Sequence, residues 1–352
     1  MTDALLDDPG ALLAREAALR ASGGSLRMRD AAAALGVPEA ALVDARRGSG
    51  AAVRLARPDG AEGFGRVLQR LPEVGPVMAL TRNAVAVHEE VGRFAQPAID
   101  GALGQVVGEI DLRLFLQHWQ HGYALTEGGL TSLQFFDPAG TAIHKVYRRD
   151  GSDGAAFERI VADFADPDPA PAQFRAMVPP TAERPDAEVD VAGLRDAWRE
   201  LRQTNLFFGL MRRFDVTRAQ AMRLAGPEFA RPVPAAAARA LLEGAASARI
   251  PLLVFVGNRG CLQVHVGPVQ RVEMVGPWLN VLDPGYNLHL RTDLVTSAYV
   301  ARKTSVQGPV HSLELYDAGG EVVAQMFGDR PPQGEERADW RALVTGLDKG
   351  PA

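Results

Sequence analysis

Only a few side chains in this sequence are spaced so that they could do chemistry, and the first is an amide. In LRDAWRELRQTNLFFGLMRRFDVTRAQAMRLAG, residues 194–226, Trp198, Leu201, Asn205 and Phe208 follow at steps of three, four and three. That spacing predicts one helix face, with the Asn205 amide set into an apolar stripe. A buried amide needs hydrogen-bond partners or a ligand, because its desolvation is otherwise uncompensated. Further on, Thr217-Arg218-Ala219-Gln220 has the spacing of a capping box, the threonine bonding forward and the glutamine back. Arg218 then falls in the first turn of a helix, where the dipole is positive and a cation is disfavoured. Two readings stay open: a plain surface arginine, or an arginine that faces an anion.

The other reactive residue types read as structural. His118 and His121 would share a face of a helix but not of a strand, and IDLRLFLQHW alternates like a strand, which argues against a two-histidine metal site. His88, His144, His265, His289 and His311 are scattered one to a predicted strand. The single cysteine, Cys261, excludes an intrachain disulfide framework and is expected to pack in a sheet. No G-x-S-x-G, Walker or Rossmann fingerprint is present, and VGNRG, with no helix after it, reads as a strand turn.

The elements that position these residues belong to a soluble chain of 352 residues, long enough for two cores, with a formal charge of -5. No Lys/Arg block stands out, so nucleic acid is not an expected partner. AAAALGVPEAALVDARR and LFFGLMRRFDVTRAQAMRLAG do resemble helix-turn-helix pairs, but their second helices carry few side chains able to reach base edges. The acidic start, MTDALLDDPG, and the lack of an apolar run of roughly 18 residues predict a cytoplasmic protein without membrane insertion.

Helices are predicted from Asp8-Pro9 to Gly23-Gly24, over RDAAAALG, and over VPEAALVDARRG with Pro38 in its first turn. Strands VMAL, AVAVHEEVG, IDLRLFLQHW and SLQFFD follow, then a hairpin through Asp137-Pro138-Ala139-Gly140 and a helix over FERIVADF. Asp166 to Glu188 holds six prolines and reads as an extended linker. After it the same order returns. Ser132-Leu133 through Asp137 matches Ser312-Leu313 through Asp317, Gly140 matches Gly320, Asn83 matches Asn258, and GVPEAALVDAR resembles DVTRAQAMRLA. The fold class is α+β with an internal duplication, each half helices followed by a large antiparallel sheet. The predicted parts are an N-terminal repeat, 1–165, a Pro-rich linker, 166–188, and a C-terminal repeat, 189–352.

PLLVFVGNRGCLQVHVGPVQRVEMVGPWLNVLDPGYNLHLR, with TRNAVAVHEEVG, IDLRLFLQHW and SLQFFDPAGTAIHKVY, resembles the cytoplasmic haem-utilisation family, the haemin-degrading factors of HemS/ChuS type. The resemblance covers nearly the whole chain and its duplication. It implies haem b or a related tetrapyrrole bound in a cleft between the halves, and a role in haem transport and iron acquisition. The implied partners are a haem oxygenase or a membrane haem importer. It places the family's distal arginine on Arg113 and its propionate and pocket positions on Arg218, Lys303, Gln325 and Arg330. Where the family often has a tyrosine, this chain has Phe327. The family's proximal histidine position holds Asn205, and an amide oxygen is a far poorer donor to haem iron than imidazole. Three readings follow: haem bound with another axial ligand, which includes a haem-degrading enzyme; a metal-free or broken-down tetrapyrrole; or an interaction protein that has lost haem. Oxygen activation needs a defined axial ligand and an electron donor, so no catalytic residue is assigned.

Overall fold

The computed structural model describes residues 8–23, 26–176, 182–331 and 334–347. The chain divides into two compact units, the first made of Met1–Arg82, Glu90–Pro179 and Asn258–Leu262, the second of Asn83–Glu89, Pro180–Gly257 and Gln263–Ala352. Each unit therefore includes a short segment from the other half of the sequence.

In unit 1, helices α1 (Pro9–Gly23), α2 (Met28–Leu35) and α3 (Glu39–Asp44) precede strand β1 (Ala52–Leu55), the short α4 (Gly65–Leu68) and β2 (Pro76–Arg82). After β3 (Ala86–Arg93), whose residues are shared between the units, come β4 (Ala98–Asp100), β5 (Leu103–Val106), β6 (Asp111–Phe115), β7 (His121–Glu127), β8 (Leu130–Phe136), β9 (Ala142–Arg148) and α5 (Gly154–Phe164). The antiparallel order is β1-β7-β8-β9-β2, with β4-β5-β6 as a further meander. The local signals act as expected. Asp8 caps α1 by accepting from Ala11 N at 2.9 Å, and α2 stops at Gly36 in the left-handed region at φ 68. Pro38 is the cap of α3, one position before the first turn.

Unit 2 repeats the plan. Helices α6 (Val191–Arg199), α7 (Phe207–Phe214) and α8 (Arg218–Ala225) lead to β10 (Ala230–Val233), α9 (Ala237–Ala248) and β11 (Leu252–Gly257). Then come β12 (Cys261–Gly267), also shared, β13 (Val272–Val275), β14 (Trp278–Asp283), β15 (Tyr286–Arg291), β16 (Ser297–Ser305), β17 (Gly308–Tyr316), β18 (Val322–Gly328) and α10 (Ala338–Thr345). Its order, β10-β16-β17-β18-β11 with β13-β14-β15, is that of unit 1. The asparagines matched in sequence do the same work in each unit. Asn258 accepts from Gly260 N and Cys261 N and donates to the carbonyls of Arg82 and Ile143, while Asn83 accepts from Val85 N and Ala86 N and donates to those of Gly257 and Val323. Each amide has both its donor and its acceptor side satisfied, which fixes the turn it occupies.

Three sequence expectations change. IDLRLFLQHW is not one strand: β6 ends at Phe115, Leu116–His118 form a 3-10 turn, and β7 starts at His121. The turn drops Trp119 into the core, where its indole N–H donates to the Gly260 carbonyl at 2.8 Å. Of the described linker residues, 166–176 form no helix or strand and 182–188 contain only a 3-10 turn at Asp186–Glu188, and the first stretch is not free: Arg47 and Arg54 donate to its carbonyls. The strands of three or four residues, such as β1, β4, β5 and β13, were too short for alternation to show in the sequence.

The two matched hairpins are built alike. The Asp137 carboxylate accepts from Ala139 N and Thr141 N, the Asp317 carboxylate from Gly319 N and Glu321 N, and the turn glycines have φ 78 and φ 76. Their surroundings differ. A methyl on Gly140 would stand 2.6 Å from Pro38 Cβ and 2.9 Å from Phe174, whereas one on Gly320 would stand 3.4 Å from Ala219 Cβ. Gly320→Ala is therefore expected to cost about 1 kcal/mol of left-handed strain, and Gly140→Ala clearly more because packing is added to it. Chemical denaturation of both variants beside wild type measures the difference; equal effects would contradict it.

Candidate functional site

The most heavily committed polar group in unit 2 is the carboxylate of Glu314, on β17 and fully buried. Arg218, at the start of α8, grips it with Nε to Oε2 at 2.7 Å and a terminal nitrogen to Oε1 at 2.9 Å. Lys303 Nζ, from β16, reaches Oε1 at 2.5 Å. Ser312 Oγ and Tyr316 OH, two residues to either side on the same strand face, donate at 3.1 and 2.8 Å. Two cations, Lys303 buried and Arg218 half-buried, thus converge on one anion, leaving an excess of one positive charge. Burial opposes ionisation of Glu314, but Arg218 and Lys303 overcome it and hold the carboxyl well below its usual range. For Lys303 burial acts first and the pull of Glu314 is partly cancelled by Arg218, so its ammonium is brought down to about 8. Arg218 has found its anion inside the chain.

Aromatic rings frame the cluster. Phe207, the first residue of α7, lies under both cations, 4.9 Å from Lys303 Nζ and 5.0 Å from Arg218 Cζ. Phe327, on β18, lies 5.6 Å from Lys303 Nζ and meets Phe255 edge to face at 5.3 Å. Gln325 is directly opposite Glu314 in the β17–β18 register, two residues from Phe327 and so on the same face. Its Nε2, and a terminal nitrogen of Arg330 just past β18, are buried and have no hydrogen-bond partner among the described residues. Of the residues singled out in the sequence, Arg218, Lys303, Gln325 and Phe327 are therefore brought to one face of unit 2. Arg113 lies in unit 1 on β6, paired with Asp111 two residues away.

The opening stripe does not survive as one helix. α6 ends at Arg199, and Arg202-Gln203-Thr204-Asn205 offers nothing apolar to bury, so the chain turns before a new start at Thr204–Leu206 and α7. The Arg202 carbonyl accepts from Val306 N at 2.9 Å, which fixes this break. Phe207, not Phe208, then packs on Trp198, with ring centroids 4.5 Å apart, while Leu206 and Phe208 are 50% and 64% exposed. Asn205 lies in the intervening 3-10 turn, and its side chain is outside the described residues. The capping box is half present: Thr217 Oγ1 accepts from Gln220 N, but the Gln220 amide donates to Arg184 O and Asp186. Cys261 is buried in unit 1 beside the Thr81 hydroxyl, and burial pushes its thiol up to about 12.

Sequence reasoning passed over Glu314, Phe207 and Tyr316. The signal for Glu314 is a glutamate alternating with leucines in HSLELYD, which becomes informative only when the buried face is known. Unit 1 shows how specific the cluster is. Tyr123 pairs with Gln134 as Tyr299 pairs with Glu314, and Gln134 pairs with Lys145 as Glu314 pairs with Gln325. Glu39 begins α3 as Arg218 begins α8. Unit 1 therefore places a neutral amide at the hub and a Glu39–Lys145 pair at 2.5 Å around it, with no excess charge in the pair. Burial pulls Lys145 down, yet Glu39 and other nearby groups leave it raised.

A tandem α+β repeat with a cation-rich, aromatic-framed face on its second copy defines a class of protein, and the chain belongs to it: the haemin-degrading HemS.ChuX domain family matches at residues 36–164 and again at 215–347. It is 36% identical to the hemin transport protein HmuS of Yersinia pestis over 325 residues, 91% of this chain and 92% of that one. The structure of apo-PhuS, a heme-binding protein from Pseudomonas aeruginosa, has a TM-score of 0.92 at 40% identity, covering 96% of this chain and 99% of that one. The heme degrading enzyme ChuS of Escherichia coli O157:H7 has a TM-score of 0.87 at 33% identity, covering 95% and 98%.

The charge excess sets the stability of the cluster. Glu314→Ala leaves the buried Lys303 and the half-buried Arg218 without their anion and is expected to cost about 3–5 kcal/mol. Lys303→Met leaves the Arg218–Glu314 pair intact and neutral overall, and is expected to be tolerated near neutral pH. Lys303 releases its proton near 8 when folded but only near 10.4 when unfolded, so the unfolded chain binds more protons between those values. Wild type should then gain stability relative to Lys303→Met as pH rises from 8 to about 10. Urea unfolding across that range tests the sign, and a relative loss would refute it.

Proposed function

We propose that this protein binds haem, or a closely related tetrapyrrole, in the cytoplasm for its trafficking and utilisation after uptake, with iron coordination altered from that of its relatives. The observation that carries the reading is the positive excess at Arg218, Lys303 and Glu314, covered by the buried Phe207 ring and flanked by the half-buried Phe327 ring. Haem is a flat apolar ring with two carboxylates and an iron, and the described residues fit the first two parts. Phe327, half-buried, offers a ring face, the cluster offers charge, and Gln325 Nε2 and a terminal nitrogen of Arg330 offer buried donors without partners among the described residues. Arg113, on unit 1, holds the family's distal arginine position by resemblance. Similarity to a hemin transport protein and to a heme-binding protein supports the same ligand class. The reading implies an importer or a haem oxygenase as partner; no helix among the described residues is long and apolar enough to cross a membrane.

The residues available for iron are the reason to expect altered coordination. No histidine occurs between Leu194 and Gly226, and Asn205 stands where the family resemblance places the proximal ligand. An amide holds iron weakly, so ring stacking and carboxylate contacts must supply most of the affinity. A metal-free porphyrin or ring-opened product, which needs no axial ligand, is the second reading, and the same asparagine favours it.

Titration with ferric haem, followed by Soret absorption, tests both. Wild type is expected to give a saturable one-to-one change without a histidine-ligated spectrum, and Asn205→His to bind roughly tenfold or more tightly with that spectrum. A histidine-ligated spectrum in wild type would show a second ligand, located by single His→Ala changes. Metal-free porphyrin bound as tightly as haem would favour the second reading. The absence of any saturable change in both proteins would sink the proposal.

A further inference from the structure

Unit 1 contains a cleft of about 350 Å³ that the haem reading leaves unused. Its roof is the Pro-rich segment after α5, and that segment is held in shape at some cost in side-chain freedom. Arg47 donates to the carbonyls of Asp168, Pro169 and Ala170 at 2.8–3.2 Å, and Arg54 to those of Asp168 and Ala170 at 2.7 and 2.8 Å. Phe174 then rests against the His121 ring, with centroids 4.9 Å apart. A chain of this composition would otherwise be extended and solvated. The second repeat has no counterpart to Arg54, since Pro232 pairs with Tyr299 where Arg54 pairs with Tyr123.

The charges lining the cleft are unbalanced. Arg54, Arg57 and Arg175 line it together with Asp166 and Asp168. Both aspartates are committed to Arg54, through Nε to Asp166 Oδ2 at 2.8 Å and a terminal nitrogen to Asp168 Oδ2 at 3.4 Å. Arg57 spends its Nε on the Trp119 carbonyl, and neither it nor Arg175 has a carboxylate partner among the described residues. His121 Nε2, on a lining residue, is buried without a partner. Guanidinium groups left with free donors around a cavity of small-molecule size are suited to a planar or tetrahedral oxyanion. We infer that the cleft beneath the 166–175 strap is a second binding site, for a small molecule bearing a carboxylate or phosphate group held by Arg57 and Arg175. The strap's contribution is to close one wall; Arg54, already neutralised, holds the strap.

Calorimetric titration of the full chain with inorganic phosphate, succinate and citrate tests this. Saturable one-to-one binding of at least one probe is expected, weakened about tenfold or more by combined Arg57→Gln and Arg175→Gln. Arg175 is exposed, so Arg175→Gln alone should keep the native circular dichroism spectrum and still weaken binding severalfold. Binding of phosphate alone would identify a phosphoryl ligand, and of the carboxylates alone a carboxylate ligand. No saturable binding up to roughly 10 mM, or affinity unchanged in the double variant, overturns the inference. Haem titration of the double variant should match wild type, which separates this site from the one on unit 2.

Discussion

A single buried carboxylate organises the second half of this protein. Glu314 has no exposure to water, so its charge is tolerable only because five donors on α8, β16 and β17 are aimed at it. That requirement fixes where α8 sits on the sheet, since the bidentate grip of Arg218 has little angular freedom. It also fixes the side chain of Lys303, which would otherwise sample many rotamers. Phe207 covers both cations with a ring face, so the position of α7 follows from the same cluster. Because the cations outnumber the anion, the arrangement stays electrostatically incomplete, and that incompleteness suits a ligand with carboxylates.

The duplication provides an internal control for this view. Both units have the same strand order, the same aspartate-anchored hairpin and the same asparagine turn, so these are requirements of the backbone. The charges are not shared. Unit 1 places Glu39 at its helix start, where the dipole favours an anion, and balances it with Lys145. Unit 2 places Arg218 there, against the dipole, and must add Glu314 to hold it. At these matched positions one repeat is electrostatically balanced and the other is not. Four residues beyond the paired tyrosines the contrast recurs, with Glu127 in one repeat and Lys303 in the other.

Much of the architecture was legible in the chain itself. The Asp8 cap, the Gly36 stop, the two hairpins and the repeated order follow from short-range chemistry, in which the residues that set the geometry are sequence neighbours. Family membership was legible for the same reason, as runs of residues in a fixed order.

What the tertiary structure decided was the partners. Spacing made Arg218 an arginine in want of an anion, but its anion lies 96 residues away on another element. The stripe from Trp198 to Phe208 kept helical spacing, yet a main-chain bond from Val306 to Arg202 ends the helix and turns Phe207 inward. The proline-rich linker looked free because its own residues bury little, and two arginines from far upstream hold it down. Local sequence determines which conformations a segment can adopt. Which side chains meet, and with what balance of charge, is settled only when distant strands and helices are packed against one another.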